Sequence, residues 1–298
     1  MNPRSTVSDV IVIAYGSLMS GLGLQSSKPL RVQSARRMAF DNARRGFGKF
    51  SQHGDRFAML LEPLDTTRPL EARPLPADAP PSSAPEGMGL VVQGNDLAEL
   101  CDREGYSGGA ARRLRDEAAQ RGQDLAAFLW SVLGEAEFDT AVFRQRLFKL
   151  VGYTSPHYVP HPVRLEANRF AVTFLAPGRE GSGSERVVPV RVRTGQEALM
   201  TMPEAWQRKP NRTQLAYFVT CLLGGVHGVC IKDLLAPLVL EHQLAQQVRS
   251  AVAAEQRQEL PRFLDMTGLD HARYWEAFGP PTQAVRRSGL DEFLRAGS

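Results

Sequence analysis

Apolar positions change their period several times along the chain, and each change predicts an element. Residues 10–14, Val-Ile-Val-Ile-Ala, form an unbroken apolar run that ends in Tyr15-Gly16-Ser17-Leu18-Met19. A short, mostly β-branched run of this kind predicts a buried strand feeding a tight turn. Gly16 lets the backbone approach a ligand closely, and the N–H groups of Ser17, Leu18 and Met19 can converge on an anionic group. The same residues also read as a first strand and an ordinary turn, and on pattern alone both readings stand.

Further strands are expected at 31–40, 57–63 and 87–94, with 42–49 as a basic, glycine-punctuated loop. Pro69, Pro74, Pro76, Pro80, Pro81 and Pro85 predict that 64–87 is an extended, exposed connection outside the core. A compact helix follows, with Asp96 and Glu99 as a capping box and Gly105 as its stop. Leu97, Leu100, Cys101 and Glu104 share one face of it at i, i+3, i+4 and i+7. Desolvation on an apolar face raises a carboxylate's pKa, which suits a general base near neutrality. Equally, a frayed helix end would put Glu104 in water, or beside an arginine.

Helical periodicity continues over 110–121, 124–133 and 135–150. Strands resume at 158–165, 170–175 and 187–192, with a glycine-serine loop at 177–185. Asn211 caps a helix with Leu215, Phe218, Val219 and Leu222 on one face, and a long helix is expected over 238–259. The tail, including Trp275 and Pro280-Pro281, reads as amphipathic or loop-like.

The 298 residues are 43% apolar and 23% charged, which fits a globular chain of one large or two small domains. No apolar run approaches the roughly 20 residues of a membrane span, and no signal-peptide pattern opens the chain, so a cytoplasmic location is expected. Cys101, Cys221 and Cys230 suit neither a disulfide framework nor a metal motif and are expected in the core. A net charge of +4 with arginine clusters at Arg36-Arg37, Arg44-Arg45 and Arg112, Arg113 and Arg115 reads first as solvated surface. An anionic ligand or an acidic partner protein is the other reading; without an aromatic-interleaved basic motif, nucleic acid is not expected.

Ser17 lacks the second glycine of a nucleophile elbow, Met19 standing in its place. No Gly-Lys-Ser/Thr accompanies the turn. Prolines between and beside His157 and His161 prevent a two-histidine helical metal site, so a turn is expected there. His227, between Gly225 and Gly228, reads as a loop residue.

In their order and spacing, Tyr15-Gly16-Ser17-Leu18, the strand from Phe57 to Pro63, and Leu97-Ala98-Glu99-Leu100-Cys101-Asp102-Arg103-Glu104-Gly105-Tyr106 resemble the gamma-glutamylcyclotransferase superfamily. The resemblance implies an α+β fold, a small mixed β-barrel with flanking helices, over residues 1–106 and 157–235. Residues 107–156 are then a helical insertion, a lid or docking surface, and 236–298 a helical C-terminal extension. It implies a pocket at the mouth of the turn, with Glu104 as catalytic acid/base and Tyr15, Gly16, Ser17 and Leu18 holding substrate. Tyr106 and Tyr158 are candidate lining residues. The implied reaction closes the α-amino group of a γ-glutamyl amide on its own side-chain carbonyl, releasing 5-oxoproline and an amine, with no metal or organic cofactor. The implied partner is a small-molecule γ-glutamyl substrate, or one carried by an acidic protein, with no nucleic acid and no membrane. A non-catalytic ligand- or partner-binding module on the same fold, or another amide or acyl transfer, is the alternative.

Overall fold

A computed structural model describes residues 9–25, 29–51, 56–65, 68–93, 96–97, 100, 103–104, 110–137, 139–151, 159–165, 170–175, 212–239 and 242–296. The fold is mixed α+β. Strands β1 (Asp9–Ala14), β2 (Val32–Phe40), β5 (Ala72–Leu75), β6 (Glu86–Gln93), β7 (Val159–Arg164) and β8 (Phe170–Leu175) form one sheet in the order β5-β2-β6-β1-β8-β7. Strands β3 (Ala43–Ser51) and β4 (Arg56–Pro63) form a separate antiparallel hairpin. β1 runs antiparallel to β6 and parallel to β8. The sheet curls into a half-barrel, and at one point Glu71, just before β5, bridges Arg164 at the end of β7, whose N–H donates to the Leu70 carbonyl at 2.8 Å.

Both faces of β1 are buried, which is why its apolar run is unbroken. Val10, Val12 and Ala14 enter one core with Met88, Leu90 and Val92. Ile11, Ile13 and Tyr15 enter the other with Phe40, Phe47 and Met59. The first core is completed by α2 (Ala110–Gln120), α3 (Leu125–Glu135) and α4 (Thr140–Val151), through Leu114, Phe128, Leu129, Phe143 and Leu147. These helices stand where the sequence predicts them, and Asp124 caps α3 by accepting from the Ala127 N–H at 2.7 Å. The second core is filled by α5 (Arg212–Leu222) and α6 (Lys232–Val239). Cys221 and Cys230 are buried, as expected.

Several expectations need correction. Residues 42–49 are largely strand, because Phe47 packs against Phe218 at 4.6 Å between ring centres and a bulge after Phe47 absorbs Gly48. The segment 64–87 does reach the core: Leu70, Ala72 and Leu75 are buried, and Pro74 sits in an edge strand, which tolerates proline. His161 is buried in strand rather than in a turn. The long C-terminal helix is α7 (His242–Thr267), separate from α6. The tail forms α8 (His271–Phe278), α9 (Pro281–Ser288) and α10 (Leu290–Arg295), with Tyr274, Phe278, Leu290 and Phe293 buried. Asn211 and residues 187–192 lie outside the described residues. No helix among the described residues is long and apolar enough to cross a membrane.

Because α8–α10 supply buried side chains to both cores, a chain ending after Leu269 is expected to lose its cooperative thermal transition. Circular dichroism on heating checks this. A transition retained within a few degrees of the full chain, the scale of roughly 1 kcal/mol, would show that these helices are accessory.

Candidate functional site

Gly16 begins a single 3₁₀ turn, Ser17–Met19, at the end of β1. The Met19 N–H donates to the Gly16 carbonyl at 3.0 Å and is therefore committed, unlike the expectation that it faces a ligand. Among the described residues no hydrogen bond reaches the N–H of Ser17 or Leu18. Ser20 then caps α1 (Gly21–Leu24), its hydroxyl accepting from the Gly23 N–H at 3.0 Å.

The turn is set by close backbone approach. A Cβ on Gly23 would stand 1.7 Å from the Ser17 carbonyl oxygen, and one on Gly21 would stand 2.5 Å from the Phe263 nitrogen on α7. Neither position has room for a side chain. Gly23→Ala is expected to destabilise the protein by about 1–3 kcal/mol or more, because backbone rather than a flexible side chain must give way. A denaturant titration measures this, and an unchanged midpoint would contradict so close a contact.

Two buried polar groupings converge on this turn. In the first, Arg45 is fully enclosed and pairs with Asp233, Nε to Oδ2 at 2.7 Å and Nη2 to Oδ1 at 2.8 Å. Its Nη1 donates to the Tyr15 carbonyl at 3.3 Å and to the Glu86 carbonyl, and its Nη2 to the Cys230 carbonyl at 2.6 Å. Burial alone would lower the Arg45 pKa, but Asp233 foremost, together with Cys230 and Glu86, offsets it and the guanidinium is held above its ordinary value. Arg45 is thus a buried tie, not the surface residue expected, whereas Arg44 is exposed.

The Glu86 carboxylate is fully buried and clasped by Arg287 from α9, at 2.6 and 2.7 Å. It also accepts from the N–H groups of Cys230 at 2.9 Å and Ser82 at 2.7 Å. Burial pushes its pKa up, opposed by those two N–H groups, by Arg37 and by Arg45. Arg37, lowered by its own burial, donates to the carbonyls of Pro76 and Ala77, and Arg287 to those of Ala79 and Pro80. The proline-rich segment offers carbonyls with few competing N–H groups, and buried guanidinium groups use them.

In the second grouping, His227 ends the 3₁₀ helix Leu223–His227 and is wholly buried, contrary to its reading as a loop residue. Its Nε2 lies 2.8 Å from Glu259 Oε1 and its Nδ1 2.5 Å from the Tyr274 hydroxyl. Glu259 in turn accepts from the N–H of Gly21 at 2.5 Å and of Leu22 at 3.4 Å.

Of the residues expected at the site, Tyr15 is buried edge-on to Phe40, ring centres 6.5 Å apart, and its carbonyl accepts from Arg45. Leu18 is buried and Ser17 half-buried. Gly16 faces Met59 and the Tyr217 hydroxyl, which accepts from the Met59 N–H at 3.0 Å. Glu104 is helical, 18% exposed, with Oε1 3.4 Å from Arg103 Nε. Leu97 and Leu100 beneath it are buried in the same core as Leu18 and Met19. Asp96 accepts from the Arg31 N–H at 3.0 Å. Arg112 and Arg113 are exposed and Arg115 half-buried. Glu99, Cys101, Gly105, Tyr106, His157 and Tyr158 lie outside the described residues. No group of three or more His, Cys, Asp or Glu among the described residues could hold a metal ion.

No family model, no curated protein and no solved structure matches this chain.

Proposed function

We propose that the chain is a gamma-glutamylcyclotransferase-like enzyme that converts a γ-glutamyl amide to 5-oxoproline and a free amine. The observation that carries this reading is the convergence of two buried polar groupings on the Tyr15–Leu24 turn, whose Leu18 and Met19 belong to the same core as Leu97 and Leu100 from the helix of Glu104. Such groupings are costly to bury, and a plain connection between β1 and β2 would not need them. The curled half-barrel is compatible with the small mixed barrel that the motifs imply.

In this reading the turn presents the N–H groups of Ser17 and Leu18 to the substrate's carboxylate or side-chain carbonyl oxygen. The substrate's α-amino nitrogen attacks that carbonyl carbon, so the protein need supply no nucleophile. Holding both ends of the γ-glutamyl group in a folded conformer supplies the gain of an intramolecular reaction. Glu104 takes one proton from the ammonium and delivers it to the departing nitrogen as the C–N bond breaks, while the second proton that the attacking nitrogen sheds on closing the lactam passes to water. Tyr106 and Tyr158 would line the pocket, and an acidic carrier of the substrate would meet Arg112 and Arg113.

Release of 5-oxoproline from a panel of γ-glutamyl amines and peptides tests the proposal, with Glu104→Gln as the comparison. The Arg103 contact favours a second reading, a non-catalytic module whose Glu104 is already paired. Binding of a panel compound without turnover would be its signature.

A further inference from the structure

We propose that Glu259, His227 and Tyr274 are positioning residues for the substrate-binding turn, acting on it through the N–H groups of Gly21 and Leu22. This rests on the reading that the turn binds substrate. The three side chains are 0%, 0% and 1% exposed, so none touches a ligand in solution. A carboxylate so placed is unfavourable unless its lone pairs are filled, and an apolar trio of similar volume is often as stable or more so. What an apolar trio lacks is a way to fix two N–H groups of α1.

The hydrogen-bond directions are determined by the set as a whole. Burial, and to a lesser extent Glu259, raise the Tyr274 phenol well above its ordinary value, so it keeps its proton. The hydroxyl then donates to His227 Nδ1, and Nε2–H donates to Glu259. With the opposite sense, the phenol proton would have no acceptor among the described residues. Tyr274 thereby fixes the imidazole, and the imidazole fixes the carboxylate. Rings of Phe263 and Phe278, 4.4 and 6.1 Å from that of His227, leave the imidazole little room to turn.

The path to the turn is short. Glu259 holds Gly21 and Leu22, Ser20 caps the same helix, and Gly23 lies directly against the Ser17 carbonyl. A shift of α1 must therefore move Ser17, whose N–H the proposed function assigns to substrate. Tyr274 belongs to α8, so a helix near the end of the chain helps set a turn near its beginning.

The test uses the full chain with Tyr274→Phe, which keeps the ring contacts and removes only the hydroxyl, and with Glu259→Gln in parallel. Amide hydrogen exchange at Gly21 and Leu22 is compared with exchange along β1, and KM and kcat for 5-oxoproline release are measured well below the melting temperature. For Tyr274→Phe, exchange at Gly21 and Leu22 is expected to rise about tenfold, the scale of one hydrogen bond, with β1 unchanged. KM is expected to rise by a similar factor with kcat less affected, and Glu259→Gln should show the larger change in both. Exchange that rises no more at Gly21 and Leu22 than along β1, with unchanged KM and kcat, would overturn the proposal, as would loss of cooperative folding in both variants. If the wild type releases no 5-oxoproline, the proposed function fails, while the exchange comparison still decides the positioning role.

Discussion

Glu104→Gln is expected to lower kcat for 5-oxoproline release by about 10²–10⁴-fold, the range that general acid–base groups contribute, with little change in stability. The amide preserves the shape of the carboxylate but neither takes the ammonium proton nor delivers one to the leaving nitrogen. Glu104 is partly exposed and stands 3.4 Å from a neighbouring Arg103. Losing an ion pair of that kind costs about 1 kcal/mol or less. Rate and stability should therefore separate, and steady-state kinetics beside a melting curve will show whether they do. A variant that keeps its rate would remove Glu104 from the chemistry.

The second large effect is on stability. Arg45→Met is expected to destabilise the protein by about 3–5 kcal/mol, the cost of breaking a buried ion pair. The carbonyls of Tyr15, Glu86 and Cys230 would all lose a donor. Asp233, 36% exposed, can turn to water and soften the loss, whereas the three carbonyls cannot. Lysine is no substitute, since one ammonium cannot span the carboxylate and three separate carbonyls. Urea unfolding measures the change, and a loss below about 1 kcal/mol, the scale of a single net hydrogen bond, would show that the Arg45 grouping does not hold the turn.

The elements that periodicity made legible are those governed by local apolar spacing. β1, β4, β6 and the three helices over 110–151 fall where the sequence places them, because each buries a face that its own residues define. The hairpin strand β3 was obscured by Gly46 and Gly48, which read as loop punctuation although Phe47 between them is a core residue. Prolines hid β5 for a related reason: they mark segments poor in N–H donors, and here that feature serves Arg37 and Arg287 as a row of carbonyl acceptors.

The candidate site was legible only in its front half. Tyr15-Gly16-Ser17 announces a turn because an apolar run stops at a glycine, and Glu104 stands out as a carboxylate on an apolar helix face. The same criterion picks out Glu259, which continues the buried stripe of Val248, Val252 and Phe263 on α7. Arg45 and His227 gave no such signal, since what buries them is a hairpin, a 3₁₀ helix and a C-terminal helix brought together from distant parts of the chain. Long-range partners such as Gly21 and Glu259, 238 residues apart, have no local pattern to read.

The most direct test of the central claim is the appearance of 5-oxoproline, followed by proton NMR, when the folded wild-type chain is incubated with a panel of γ-glutamyl amines and peptides. The account predicts that at least one compound yields 5-oxoproline and an equal amount of its amine, and that Glu104→Gln yields neither at a comparable rate. Intact substrates throughout the panel, or equal release by both proteins, would contradict it.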